Sequence, residues 1–180
     1  MKANLKPSRY THSLGVEKMA SELAGFYGAD ISKAAFAGRY HDIAKCFPED
    51  VMDDYVREFG LSDEYLGNNA LAHSKVAAEI LRTRFGVTDE EILWAVRSHT
   101  TGRYGMSLLE EIVYVADAIE DNRNYEGLKE LQDKARHDLD AACLEIMDFT
   151  IDRIHKLGRT LDHDTEMARQ FIIRRIESNN

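Results

Sequence analysis

The stretch Tyr40-His41-Asp42-Ile43-Ala44-Lys45 sets a histidine beside an aspartate near the end of a run of small and apolar residues. Imidazole nitrogen and carboxylate oxygen together suit a divalent metal such as iron, manganese or zinc. On a helix, His41 and Asp42 would point about 100° apart, so the pair could serve one metal or bridge two. Lys45 follows Asp42 by three residues and is expected on the same face. The stretch therefore predicts a metal beside a fixed positive charge, which suits a phosphate ester or anhydride.

The rest of the sequence is typical of an all-α protein. It has 180 residues with only two prolines, and residues that favour helices dominate over runs of valine and threonine. Apolar residues at three- and four-residue steps predict an irregular bundle of roughly seven to nine helices. The length suits a single domain over residues 1–180.

Composition also limits the partners and the location. The net charge of −9 argues against a nucleic-acid polymer, which requires a basic face. A small phosphorylated ligand is compatible with it, because a metal centre supplies positive charge locally. We find no membrane-length apolar run and no signal peptide, so we expect a cytoplasmic protein with reduced Cys46 and Cys143. The sequence leaves the oligomeric state open, with a homodimer as one option.

Four histidines and two aspartates lie on apolar faces of the predicted helices or at the ends of those faces. They are His12, His41, Asp42, His73, His99 and Asp117. The face of the first helix comprises His12, Val16, Met19, Leu23 and Phe26. One buried histidine is ordinary, but each of six such groups would need a buried partner of its own. A shared centre satisfies them together, and four imidazoles with two carboxylates fit two metals bridged by one aspartate.

Two other His-Asp pairs and one further histidine have polar surroundings that do not suit a metal. His137-Asp138 and His163-Asp164 begin predicted helices, where Asp138 and Asp164 suit N-caps. His155 lies among charged residues on a face that we expect to be solvated. We therefore exclude His137 and His155 from the predicted centre.

The order of the six residues resembles the HD superfamily of metal-dependent phosphohydrolases. Four blocks are similar to one branch of it, the YqeK-type bacterial symmetrical diadenosine tetraphosphate hydrolases. These blocks are Arg9-Tyr10-Thr11-His12-Ser13, His41-Asp42-Ile43-Ala44-Lys45, Ser98-His99-Thr100-Thr101-Gly102-Arg103 and Ile112-Val113-Tyr114-Val115-Ala116-Asp117. The resemblance extends over nearly the whole chain and implies an irregular helical fold of the HD type.

The resemblance implies two iron ions, although the residues alone would equally allow manganese or zinc. It places His12, His41, Asp42 and Asp117 at one site, and His73, His99 and a bridging Asp42 at the other. It also implies that a hydroxide on the metals attacks phosphorus and cuts diadenosine tetraphosphate into two molecules of ADP.

Further residues are expected to hold the substrate. Lys45 and Arg103 would act with Asp42 in catalysis, and glycine at position 102 would let backbone N–H groups approach a phosphate. The expected substrate contacts are Arg9, Lys45, Thr101, Gly102, Arg103, Arg123, Asp164 and Thr165. Two alternatives stay open: another HD enzyme, such as a nucleotidase or phosphodiesterase, and a non-catalytic nucleotide-sensing module.

Overall fold

The computed structural model describes residues 5–179, and within them the chain forms nine α-helices and one short 3-10 helix, with no strand. The helices are α1 (Pro7–Tyr27), α2 (Ile31–Tyr40), α3 (Glu49–Glu58), α4 (Asn69–Phe85), α5 (Glu90–Ser98), α6 (Leu108–Ile119), α7 (Leu128–His137), α8 (Leu139–Lys156) and α9 (His163–Asn179). The 3-10 helix is Asp63–Tyr65, between α3 and α4. The predicted all-α fold is confirmed. Within residues 5–179, none of the helices combines the length and apolar character that crossing a membrane requires.

The caps at the end of α1 and the start of α2 determine where α1 turns back onto α2. Gly28 ends α1 in the left-handed conformation, with φ of 69°, which glycine adopts without strain. Asp30 then caps α2, because its carboxylate accepts hydrogen bonds from the backbone N–H groups of Ser32 and Lys33. The two helices pack closely, since a Cβ at Gly38 would lie 2.9 Å from the Val16 carbonyl oxygen.

Helix α6 is the central helix of the bundle and packs against α1, α2, α5 and α8. Its buried residues surround the helix on nearly every side, from Leu109 to Ile119. Ser107 and Glu110 form a capping box at its start. The helix therefore holds the residues of its last turn, including Asp117, in a fixed position.

The sequence pattern predicts one helix from about Ile31 to Cys46, but the helix in the structure is shorter. Helix α2 ends at Tyr40, and the next residues form turns in which the Lys45 N–H donates to the Asp42 carbonyl at 3.0 Å. The His41 imidazole donates from Nδ1 to the Gly38 carbonyl at 2.7 Å, to which the Asp42 N–H would donate if α2 continued. His41 and Asp42 thus lie in a turn, and Lys45 remains one tight turn after Asp42.

The predicted position of Phe26 in the core is wrong, since its side chain is 61% exposed. The buried face of α1 also includes Ala20 and Ala24, which shifts its centre toward Tyr27 at about 3.6 residues per turn. Tyr27 packs against the core instead, and its hydroxyl donates to the Ala135 carbonyl at 2.8 Å.

A buried carboxylate of α6 makes the stability of the fold depend on pH. Glu111 is 1% exposed and is paired with Arg175 of α9, which also binds Asp140 of α8. Burial raises the pKa of Glu111 to about 7, although Arg175 acts to lower it. The folded protein therefore holds a proton on Glu111 at a pH where the unfolded chain has released it.

We expect the free energy of unfolding to fall as the pH rises from the ordinary pKa of 4.5 to about 7, because the folded state binds the extra proton. Glu111→Gln should remove this part of the decline and raise the Tm at pH 8 relative to wild type. Thermal unfolding between pH 5 and 8 measures it, with the exposed Glu130→Gln as control. Identical pH profiles for Glu111→Gln and wild type would contradict the assignment.

Candidate metal centre

The six predicted ligands come together in the interior of the bundle, although they belong to different parts of the chain. His12 is in α1, His41 and Asp42 follow α2, His73 is in α4, His99 follows α5 and Asp117 is in α6. The four imidazoles and the Asp42 carboxylate are buried, and the Asp117 side chain is 24% exposed. The ligand atoms form three overlapping sets, each within 4.8 Å: His12-His41-Asp42, His41-His99-Asp117 and Asp42-His73-His99.

The Asp42 carboxylate lies between two pairs of imidazoles. Its Oδ2 is 3.5 Å from His41 Nε2 and 3.9 Å from His12 Nε2. Its Oδ1 is 3.3 Å from His73 Nε2 and 3.5 Å from His99 Nε2. Each oxygen thus faces a different pair, which is the geometry that a carboxylate bridging two cations would need.

The Asp117 carboxylate adds a second acid to one of the two pairs. Its Oδ1 lies 3.0 Å from His12 Nε2 and 3.8 Å from His41 Nε2. These distances agree with the implied division into one site with His12, His41 and Asp117 and another with His73 and His99. The set formed by His41, His99 and Asp117 crosses this division, so the two groups of side chains are in direct contact.

Hydrogen bonds to the backbone orient three of the imidazoles. In each of them Nδ1 donates to a carbonyl oxygen, which leaves the Nε2 lone pair pointing into the cluster. The pairs are His41 with Gly38 at 2.7 Å, His73 with Asn69 at 3.0 Å and His99 with Val96 at 2.7 Å. Such orientation is typical of histidines that bind a metal.

The fourth imidazole is oriented by Glu120, a residue that the sequence reasoning missed. Glu120 is 1% exposed, and its Oε1 accepts a hydrogen bond from His12 Nδ1 at 3.1 Å. Its Oε2 accepts from the backbone and side-chain nitrogens of Asn122, both at 2.8 Å. Gly15 leaves room for it, since a Cβ there would lie 2.0 Å from Glu120 Oε2. The sequence does contain one signal for Glu120, since it is an acid three residues after Asp117.

The donor set fits a divalent cation. Among the described residues, His12 Nε2 and His41 Nε2 are buried without a hydrogen bond of acceptable geometry. His73 Nε2 and His99 Nε2 face each other at 3.1 Å, so their lone pairs repel if both imidazoles are neutral. A buried polar atom without a partner is costly, and a cation would satisfy these nitrogens together.

The pKa shifts agree with this arrangement. Burial lowers the pKa of His99 to about 4, which leaves the imidazole neutral and able to bind a metal. Burial opposes ionisation of Asp42, but the neighbouring imidazoles, His41 first, hold the pKa of that carboxyl well below its usual range. For His41, burial acts to lower the pKa, but Asp42 and Asp117 raise it. The raised pKa favours a proton on His41, and a metal cation would take the place of that proton.

Three of the predicted phosphate contacts also lie at the cluster. Arg9 Nη1 donates to Asp42 Oδ2 at 2.8 Å, and Arg123 Nη2 donates to Asp117 Oδ1 at 2.6 Å. Lys45 Nζ lies 3.0 Å from His73 Nε2. The structure thus surrounds the two carboxylates with three cationic side chains.

The structure does not bring Arg103 to the cluster. Its Nε and Nη2 donate to the two carboxylate oxygens of Glu110, both at 2.6 Å, and its guanidinium lies 4.6 Å from the centre of the Trp94 ring. Glu110 is 1% exposed, so its carboxylate requires this partner. The expected direct contact of Arg103 with phosphate does not fit this geometry, because the forked donor is already used.

Thr101 and Gly102 make contacts within the fold that hold the loop after His99 in place. The Thr101 hydroxyl is buried, donates to the Gly102 carbonyl at 2.9 Å and accepts from Lys75 Nζ at 3.2 Å. At Gly102, φ is 67° and a Cβ would lie 2.8 Å from the Ala168 side chain. Glycine is therefore required for close packing against α9. The neighbouring Thr100, which was not among the predicted contacts, reaches the cluster, with Oγ1 3.1 Å from His73 Nε2.

Asp164 and Thr165 lie away from the six ligands. Asp164 Oδ2 is 3.6 Å from the buried Lys75 Nζ, and Thr165 is 3% exposed. The predicted N-cap at Asp164 is also wrong, because α9 begins at His163 and Asp162 Oδ1 accepts from the Asp164 N–H at 2.8 Å. The other predicted cap, Asp138, accepts from the Ala141 N–H as expected.

We expect Arg103→Ala to destabilise the protein by about 2–3 kcal/mol, because it leaves the buried Glu110 carboxylate unpaired. The metal content of the folded variant should stay near wild type. Urea unfolding and elemental analysis on one preparation measure both, with Arg84→Ala, which breaks an exposed ion pair, as control. Normal stability of Arg103→Ala would contradict the role of Arg103 as the partner of Glu110.

The fold and the buried His/Asp cluster define a class of protein. Residues 9–122 match the family model described as HD domain. The chain therefore belongs to the HD domain family, and that domain implies a divalent metal, which this cluster could bind.

Comparison with individual proteins narrows the class. The chain is 37% identical over 174 residues to "Bis(5'-nucleosyl)-tetraphosphatase, symmetrical" of Bacillus subtilis (strain 168), covering 96% of this chain and 94% of that protein. A protein of the same name from Halalkalibacterium halodurans is 37% identical over 166 residues, covering 92% and 89%. A crystal structure of a "predicted HD superfamily hydrolase involved in NAD metabolism" from Clostridium acetobutylicum superimposes with a TM-score of 0.91. It shares 41% identity and covers 96% of this chain and 93% of that chain.

Proposed function

We propose that this chain is a metal-dependent hydrolase that cuts diadenosine tetraphosphate symmetrically into two molecules of ADP. The observation that carries the proposal is the Asp42 carboxylate, which faces one imidazole pair with each oxygen and has cationic side chains beside it. The names of the relatives that match over nearly the whole chain support the choice of substrate. We assign the activity to a single domain over residues 1–180.

The residues fit two divalent ions, and we propose iron at both positions. His12, His41, Asp42 and Asp117 would hold one ion, and His73, His99 and the shared Asp42 the other. When bound, such ions activate water and neutralise charge on phosphate oxygens. Glu120 and the three backbone carbonyls keep the imidazoles in the tautomer that presents Nε2.

Arg9, Lys45 and Arg123 are proposed to bind the phosphates. Arg9 and Arg123 now pair with the two carboxylates of the cluster. With those carboxylates occupied by cations, the guanidinium groups would be free to turn their forked donors to phosphate oxygens. Burial lowers the pKa of Lys45, but the Asp42 and Asp117 carboxylates act to raise it and so favour its charged form. Lys45 would then offset negative charge as the phosphate bridge breaks.

The other expected substrate residues are proposed to act indirectly. Arg103 and Gly102 hold the loop after His99 against α6 and α9, and Thr101 joins it to Lys75. Asp164 contacts Lys75 from α9, and the adjacent Thr165 is buried. These residues stabilise the loop, whose members Thr100 and His99 reach the cluster.

We also propose that the protein works in the cytoplasm. Cys46 and Cys143 are both free thiols, as suits a reducing compartment. A homodimer is not needed to complete the centre, because all six ligands come from one chain.

Product chromatography tests the function. Metal-loaded protein with diadenosine tetraphosphate should yield ADP alone, whereas an asymmetric cut would yield ATP and AMP. AMP offered as the substrate should remain intact. Release of adenosine from AMP, with diadenosine tetraphosphate left uncut, would favour a nucleotidase and overturn the proposal.

A further inference from the structure

A cavity of about 410 Å³ opens directly from the metal cluster between α6, α7 and α8. Lys45, His99, Asp117 and Arg123 form one part of its lining. Its volume lies in the range of roughly 300–1,000 Å³ that is usual for small-molecule sites. The phosphate-binding residues proposed above thus share a space with residues that have no part in binding metal or phosphate.

Two exposed aromatic side chains line the part of the cavity that α8 and the loop before α7 provide. Phe149 is 66% exposed and Tyr125 is 41% exposed, so neither contributes much to the core. The Tyr125 ring is held in place, because its hydroxyl donates to the Ala118 carbonyl at 3.0 Å. Exposed aromatic faces beside a phosphate site suit stacking against a nucleobase.

A buried hydroxyl, that of Tyr114, also lines the same cavity. Tyr114 is 4% exposed, and among the described residues its hydroxyl finds no hydrogen bond of acceptable geometry. Thr150 lies near it and also lines the cavity. Burial raises the pKa of the Tyr114 phenol, so the group keeps its proton and can donate. A buried polar group of this kind is costly unless a ligand or water satisfies it.

We propose that this cavity binds one nucleoside of the substrate, with the base stacked on Phe149 and Tyr125 and the Tyr114 hydroxyl hydrogen-bonded to the nucleoside. The proposal rests on the hydrolase function proposed above and specifies where one half of the substrate lies. The phosphates extend from this cavity toward Lys45 and the cluster. Tyr114 and Phe149 are then specificity-determining residues, since they act on the nucleoside and not on the phosphate that is cut.

The affinities of ADP and inorganic pyrophosphate for the metal-loaded protein test the proposal, because only ADP carries a nucleoside. Calorimetric titration of Phe149→Ala should show ADP binding weakened about tenfold and pyrophosphate binding unchanged. The KM for diadenosine tetraphosphate should rise similarly while kcat stays near wild type. The control is Leu157→Ala, which removes an exposed apolar side chain just after α8 that does not line the cavity.

Tyr114→Phe provides a second test with effects of opposite sign. Removing an unsatisfied hydroxyl should leave the Tm of the ligand-free protein equal or higher, whereas ADP binding should weaken about three- to tenfold. A hydroxyl with a purely structural role would instead lower the Tm and leave the affinity for ADP unchanged. That result would remove Tyr114 from the site.

Two outcomes overturn the cavity proposal without affecting the hydrolase function. In one, wild type cuts diadenosine tetraphosphate but Phe149→Ala binds ADP as wild type does. In the other, Phe149→Ala loses ADP and pyrophosphate equally, which would place the effect on the phosphates. Conversely, the expected ADP losses in a protein that does not cut diadenosine tetraphosphate would overturn the hydrolase function and keep the nucleoside site.

Discussion

Asp42→Ala is expected to remove metal from both positions and to lower hydrolysis by on the order of 10³-fold or more, about 4 kcal/mol in the barrier. The reason is that each oxygen of this carboxylate faces a different imidazole pair, so no other residue replaces it at either site. Elemental analysis of the purified variant and turnover on diadenosine tetraphosphate measure the two effects. Asp42→Asn keeps the shape of the side chain and separates loss of a ligand from loss of the fold.

The control for Asp42 is His137→Ala, which alters the His-Asp pair at the end of α7. His137 is exposed and Asp138 caps α8, so this pair has no place in the cluster. The metal content of His137→Ala should equal that of wild type. Equal metal loss in Asp42→Ala and His137→Ala would refute the assignment of His41-Asp42 as the metal-binding pair.

Lys45→Met is expected to keep its metal and to lose about 10²-fold in kcat, close to 2.7 kcal/mol. In the proposed mechanism Lys45 would act as a charge and not as a ligand, and methionine has similar length without the charge. Lys45 Nζ lies 3.0 Å from His73 Nε2 and lines the cavity beside the cluster, so it can reach a phosphate bound there.

The comparison for Lys45 is Lys129→Met, which removes an exposed lysine from α7. Metal analysis must accompany the kinetics, because lost metal would also lower kcat. Normal turnover in a metal-loaded Lys45→Met protein would remove Lys45 from the mechanism. A loss of metal equal to that of Asp42→Ala would show that the lysine maintains the cluster.

Most of the His/Asp cluster could be predicted from the sequence because its members obey local rules. His12 and His73 lie on apolar faces with helical spacing, and caps such as Asp30 end or begin helices at recognisable residues. A buried histidine or acid on such a face requires a partner, and that requirement is visible without a structure. The prediction that Phe26 is buried was wrong because Phe26 lies at the edge of the apolar face of α1 and not at its centre.

The features that escaped prediction depend on pairs distant in the chain or on geometry within a turn. The His41 side chain donates a hydrogen bond to the Gly38 carbonyl, so α2 ends earlier than its apolar pattern suggests. Glu110 caps its own helix and also holds Arg103, and nothing in the loop sequence indicates that the arginine faces inward. Gly102 is required by a side chain of α9 that only the tertiary structure brings near.

Stoichiometric metal titration of stripped wild-type protein tests the central claim most directly, that six side chains of one chain assemble a two-metal phosphohydrolase centre. Ferrous iron, manganese or zinc is added in steps, and ADP formed from diadenosine tetraphosphate is measured at each step. We predict no turnover without metal, a rise that ends at about two ions per chain, and ADP as the only product. Full turnover by the stripped protein, or saturation by metal without cleavage of diadenosine tetraphosphate, would contradict it.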